Sequence, residues 1–257
     1  QDSSSAASDV YKRQLYAQIE ICGDGIDNDG DGYADNFDPD CPGYAPFICD
    51  GKLYETVLIG GDFFLYEVAT NPPGFTTLAN LTAAGMTSSI NSIAFNPVDG
   101  FIYGIRSNSP YEMHRINANG EVQYLGNVSG LTGTNQSGTM DAQGNYYVCG
   151  YSQTLYQIDV STLSATAIGN MSLDVSDIAF HPIDSQLYAW RANHLRRINP
   201  TNGNMTTVGS SSSLINGSGA VYFDLQGDLI IHENNMGRLA KVNTVTGAVT
   251  VLGNIST

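Results

Sequence analysis

Between Cys22 and Cys41 the chain reads CGDGIDNDGDGYADNFDPDC, seven aspartates with no lysine or arginine among them. Like charges at this density repel, so the stretch either stays open in water or is neutralised by a cation. The spacing favours the cation. Counted from Asp27, carboxylates fall at positions 1, 3, 5, 9 and 12 (Asp27, Asp29, Asp31, Asp35, Asp38), with Gly32 at position 6. Calcium takes six to eight oxygens at about 2.4 Å, and alternate carboxylates turn inward when the chain coils around it. Gly32 permits the sharp turn, Tyr33 offers its carbonyl, and Asp35 binds through water. Asp38 is shorter than the glutamate usual at the last place, which weakens two-oxygen closure. Protein or water fills every ligand position, so the expected calcium is structural. Read without a metal, the stretch is a solvated acidic spacer, but charge alone does not require this placing of Asp and Gly.

No helical pattern flanks the loop, which separates it from a true EF-hand pair. The pattern resembles a thrombospondin type-3 calcium repeat and the DGIDNDGDG modules of secreted bacterial surface proteins. In such modules a metal and a disulfide replace the core that about twenty residues cannot build. Cys22 and Cys41 bracket the loop and form the expected bridge. Four cysteines allow three pairings, and spacing favours only this one; Cys49 and Cys149 fall in predicted strands, as buried thiols or a second bridge.

Hydrophobic residues make up 42% of the 257, enough for a core, while only 14% are charged and Gly, Ser, Thr and Asn abound. That balance suits short strands and turns. The formal net charge is −15, which repels phosphates and excludes a nucleic-acid partner. No apolar run is long enough to span a bilayer, so no membrane insertion is expected. The stretch SSSAASDVYKRQ resembles translated sequencing-adapter read-through, and LYAQIE resembles the end of a bacterial secretory signal peptide. Residues 1–18 are therefore set aside as a scar plus leader remnant, and a secreted or cell-surface location is expected, weakly supported by the cysteines.

The remaining chain repeats. One half-motif is anchored at Val68, Ile116, Ile158, Ile198 and Val242, at intervals of 48, 42, 40 and 44 residues. A second lies between, as in SINSIAFNPVDGFIYGI and VSDIAFHPIDSQLYAW. Each half alternates apolar residues at period two around turn residues such as NANG and PTNG, the pattern of a hairpin. Two hairpins per 40 to 45 residues is the period of a β-propeller blade. The expected fold is all-β: a propeller of about five four-stranded blades over residues 47–257, preceded by the Asp-rich calcium module at 19–46. More blades would follow if the sequence is a fragment. A β-sandwich explains the alternation but not the fixed period. The stretches SINSIAFNPVDGFIYGI, MHRINANGEVQYLGNVSGL and SGTMDAQGNYYV resemble an uncharacterised family of propeller-like repeat domains in secreted, often multidomain bacterial proteins. That resemblance implies the fold and membership of a larger protein, and no catalytic residues.

Within a blade, labelled A to D from its first strand, the A–B and most C–D turns are tight. The B–C and D–A connections are longer and richer, so a ligand face is expected there. Its candidates are Arg106, Tyr111, Trp190, Arg191, His194, His232 and Glu233: an aromatic beside polar donors suits a sugar ring. Read without a ligand, Trp190 packs between blades. The expected function is a binding or adhesion module for a glycan or surface protein, with no catalytic residue assigned. An extracellular polysaccharide hydrolase or lyase is the alternative, favoured if acids or histidines converge on one pocket. A structural spacer is the third, and it predicts no pocket.

Overall fold

Period-two alternation broken by Asx turns produces nineteen antiparallel strands among the described residues. These residues are 19–213, 215, 218–233 and 236–255 of a computed structural model; the stretch 1–18, expected to be a scar plus leader remnant, lies outside them. The chain divides into two compact units, residues 1–46 and 47–257.

In the second unit the strands form five sheets. The first holds β1 (Leu53–Ile59), β2 (Asp62–Thr70) and β3 (Pro73–Asn80), and the second β4 (Asn91–Phe95), β5 (Ile102–Ile105), β6 (Glu112–Ile116) and β7 (Val122–Asn127). The third holds β8 (Asn135–Met140), β9 (Tyr146–Gly150), β10 (Thr154–Asp159) and β11 (Ser164–Asn170). The fourth holds β12 (Asp177–Phe180), β13 (Leu187–Arg191), β14 (His194–Ile198) and β15 (Met205–Val208). The fifth holds β16 (Ala220–Phe223), β17 (Leu229–Glu233), β18 (Arg238–Val242) and β19 (Val249–Asn254). Each sheet is a meander, because its turns are too short for anything but hairpins. A side-chain acceptor fixes the first and last turns of blades two to five: Asn96 Oδ1 accepts from the Val98 amide at 3.0 Å, and Asn199 Oδ1 from the Thr201 amide at 2.9 Å. His181 takes the Asn96 role, its Nδ1 facing the Ile183 and Asp184 amides.

The sheets are the blades of a propeller. The paired anchors of β2, β6, β10, β14 and β18, Leu65 and Val68, Met113 and Ile116, Leu155 and Ile158, Leu195 and Ile198, Leu239 and Val242, are at most 4% exposed. One sheet cannot hide them; a neighbouring sheet must, at about 1.5–3 kcal/mol for each fully buried side chain. Separate apolar clusters join blades one to two, three to four, four to five and five to one. Between blades two and three, the Tyr146 hydroxyl donates to the Ser92 carbonyl. The ring is therefore closed.

One departure matters for function. The first blade has three strands, because nothing pairs with the inner edge of β1 among the described residues. By repeat register, the missing innermost strand would fall on residues 42–46, Pro-Gly-Tyr-Ala-Pro. Two prolines without N–H groups and a glycine make that stretch a poor strand.

The first unit has no strand among its described residues; its only helix is a short 3₁₀ turn, Asp35–Phe37, with Phe37 buried. A disulfide joins Cys22 to Cys41, Cα atoms 5.7 Å apart. Cys49 and Cys149 are free, the first exposed and the second buried, so there is no second bridge. No helix among the described residues is long and apolar enough to cross a membrane.

Candidate functional site

In the first unit the aspartates serve the loop's own amides before anything else. Asp27 accepts from the Gly30 and Gly32 amides at 2.6 and 2.9 Å, Asp29 from Asp31 at 3.0 Å, and Asp31 from Tyr33 at 2.8 Å. These bonds curl the chain and leave carboxylate oxygens facing one another. Ligand atoms of Asp29, Asp31 and Asp38 lie within 4.8 Å of each other, as do those of Glu20, Asp27 and Asp29. Asp38 is fully buried, and its Oδ2 has no hydrogen-bond partner. A buried, unpartnered carboxylate oxygen beside two more carboxylates is costly unless a cation joins them. Burial, then the neighbouring acids, raises the Asp31 and Asp38 carboxyls above the usual range. The donor set, all hard oxygen, fits calcium.

Two details differ from the expected ligand set. The Asp35 carboxylate turns away to the Gly23 and Gly25 amides, so it is a cap rather than a member of either cluster. Buried Glu20, seven residues before the loop's first aspartate and outside the repeat pattern, takes a place instead, accepting from the Asn28 amide at 2.7 Å. Nothing in the twelve-residue spacing could reveal it.

The seven residues expected on a ligand face do not converge. Trp190 is fully buried in the core between blades four and five, so it offers no stacking surface. The reason is its strand: β13 is covered on both faces, and alternation gives it no solvent side. Glu233 is buried and paired with Arg238 at 2.5 Å, and His232 is buried against Glu55. The others sit at the loops: Arg106 near Glu112 at 3.7 Å, Tyr111 donating to the Gly133 carbonyl at 2.8 Å, Arg191 paired with Asp174 at 3.1 Å, and His194 Nδ1 2.8 Å from the Ala192 carbonyl.

What the repeats do build is a cavity of about 420 Å³ along the propeller axis, within the range that holds small ligands. Its wall is the innermost strand of blades two to five and, where blade one has none, β1 itself. None of the seven loop residues lines it. Two carboxyls do. Glu55 on β1 is buried; His232 Nδ1 lies 2.9 Å from both its oxygens, and the Tyr222 hydroxyl donates to it across the seam between blades five and one. Asp177 opens β12 and takes the Ile178 amide at 2.9 Å and the blade-five Val221 amide at 2.8 Å. Burial, with a smaller push from Glu55, lifts its carboxyl to about 8 despite those bonds. Burial and Glu55 likewise hold the Tyr222 phenol well above its usual range.

A family described as a repeat of unknown function (DUF6923) matches residues 60–256. The chain belongs to that family. The match covers the propeller from β2 onward and leaves out the aspartate loop. No curated protein matches. Among solved structures, a structural genomics protein of unknown function from Bacteroides thetaiotaomicron superposes with a TM-score of 0.56 at 14% identity, over 73% of this chain and 54% of that one. Virginiamycin B lyase from Staphylococcus aureus gives 0.49 at 13%, over 81% and 71%, and Kuenenia stuttgartiensis hydrazine synthase 0.47 at 14%, over 65% and 51%. The first likeness shows the fold alone, and this DUF6923 chain spans about half of that protein's length. The other two superpose too loosely to bear on function.

Proposed function

We propose that this DUF6923 repeat domain is a binding module of a secreted or cell-surface protein, and that its ligand enters the axial channel. The cavity carries the proposal. Two of its lining carboxyls, Glu55 and Asp177, are held by fixed donors from blade five, which is how a rigid scaffold presets a recognition site. A pure spacer has no use for such a cavity. The bridged cysteines support an oxidising compartment. The ligand is a glycan or a protein segment with a cationic group for the channel acids. Arrays of glycans and of peptides, probed with wild type and with Glu55→Gln, test this: hits should weaken at least tenfold in the variant. Hits that ignore the substitution would move the site elsewhere.

Calcium is the proposed structural ion of the first unit, held by Asp29, Asp31 and Asp38, with Glu20 and Asp27 adjoining. When bound it supplies the positive charge that lets these carboxylates stay ionised together. Isothermal titration should show saturable calcium binding, abolished by Asp29→Ala with Asp31→Ala. Unchanged heats in the variant remove the site.

The second reading is a polysaccharide hydrolase or lyase. One observation favours it: Asp177 keeps a proton near neutral pH in the same cavity as Glu55, and paired carboxyls of unlike proton affinity suit general acid and base work. Turnover of a polysaccharide lost in Asp177→Asn would establish it.

A further inference from the structure

The channel in blade one is a strand-shaped vacancy. In the other four blades an innermost strand of four to six residues pairs with the second strand: β4 on β5, β8 on β9, β12 on β13, β16 on β17. Blade one has the second strand, β1, paired among the described residues only to β2, and the cavity lies against Leu53, Tyr54, Glu55 and Thr56 on its other side. A free strand edge is a row of unpaired N–H and C=O groups, which a further strand can satisfy.

The register of the intact blades says what would fit. Leu53 pairs with Val68 as Ile102 does with Ile116, Tyr146 with Ile158, Leu187 with Ile198 and Leu229 with Val242. Opposite these four stand Phe95, Met140, Phe180 and Phe223 on the innermost strands. A strand seated on β1 would therefore place a large apolar residue opposite Leu53. Charge narrows the choice further. The charged residues lining the cavity are Asp50, Glu55, Asp177, Asp224 and Lys52, and Lys52 is already paired with Glu67 at 3.0 Å. With Asp177 holding its proton near neutral pH, Asp50, Glu55 and Asp224 against one engaged base attract a cationic segment.

We propose that the inner edge of β1 takes up an extended, basic peptide from a partner protein as the innermost strand of blade one. This rests on the channel reading above and names its ligand class. Backbone hydrogen bonds to β1 supply affinity; the apolar residue opposite Leu53 and the basic side chains near Glu55 supply selectivity.

The probe is a synthetic peptide copying residues 88–97, SSINSIAFNP, which includes β4, the strand this fold itself seats in blade two. It is made with lysine flanks and with glutamate flanks. Fluorescence anisotropy with the whole chain should show one-to-one saturation by the lysine form and at least tenfold weaker binding of the glutamate form. N-methylating alternate peptide amides blocks one edge at a time without touching the protein. One set should cost at least tenfold and the other little, because only one edge faces β1. Hydrogen exchange should slow at Leu53–Thr56 on binding. No binding at millimolar peptide, equal loss from both methylated sets, or equal binding of both flanked forms overturns the strand inference. The channel reading fails separately, if glycan and peptide hits alike are indifferent to Glu55→Gln. Glycan hits that depend on Glu55, with no peptide bound, keep the channel and overturn the strand.

Discussion

Asp177 sits where two demands oppose each other. Its carboxylate would gain from the backbone amides of Ile178, Val221 and Gly138, yet burial and Glu55 disfavour the charge, and burial wins, lifting the group from 3.8 to about 8. Between those values the folded chain holds a proton that the unfolded chain has released. Stability from this group is thus fully present below about pH 4 and is lost as pH rises towards 8. Asp177→Asn cannot ionise and should remove that slope. Its amide also faces one backbone N–H, a cost of about 1–3 kcal/mol that does not change with pH. Denaturant melts at several pH values should therefore show the variant gaining on wild type by about 2–4 kcal/mol between pH 4 and 8, after discounting for water in the channel. A constant gap would mean that Asp177 is ionised throughout. The sequence did hold a signal for this residue. In the repeat register Asp177 stands where other blades carry Ser92, Ser137 and Ala220, and Glu55 stands where they carry Gly104, Val148, Ala189 and Ile231. A charge at an apolar repeat position marks a site better than loop composition, which pointed to Trp190.

Among the elements, innermost strands of neighbouring blades crowd one another at the axis. A Cβ on Gly138 of β8 would lie 2.2 Å from the Ser92 carbonyl oxygen of β4, a backbone atom that cannot swing aside. Gly74 on β3 has no atom within 4 Å of its would-be Cβ. Gly138→Ala should cost about 1–3 kcal/mol by forcing two strands apart, while Gly74→Ala should be neutral or slightly stabilising. Urea midpoints of the two variants check this, and equal effects would mean the inner strands are not in contact. Blade count and strand order were legible because each hairpin states its own turn chemistry and alternation. The missing strand was not, because Phe47 to Gly51 reads as half of a repeat, and only pairing reveals that the residues before it cannot continue. In the loop unit the spacing located the aspartates, but not the turning away of Asp35 or the entry of Glu20, since both depend on contacts across ten or more residues.

At the scale of the whole ring, closure depends on side chains alone. Among the described residues β19 pairs only with β18, and no strand of blade five joins the sheet of blade one. The seam is made by Leu53, Val68, Ile230, Leu239 and Ile255, by the bonds of Glu55 to His232 and Tyr222, and on the outside by Pro73 set against Gly253. An open stack of blades would have four working interfaces and a slack fifth, and its stability would be a sum over neighbours. A closed ring has five equal ones, and loss at any of them is felt globally. Leu239 at this seam and Leu195 at the seam of blades four and five occupy the same repeat position and are both fully buried. Leu239→Ala and Leu195→Ala should therefore cost the same to within about 1 kcal/mol, each about 2–5 kcal/mol, with the propeller unfolding in one urea transition of unchanged slope. A Leu239→Ala cost below about 1 kcal/mol, or an early separate transition, would show that the seam holding Glu55 opens in solution. The axial site would then need its ligand to form the ring, instead of finding it made.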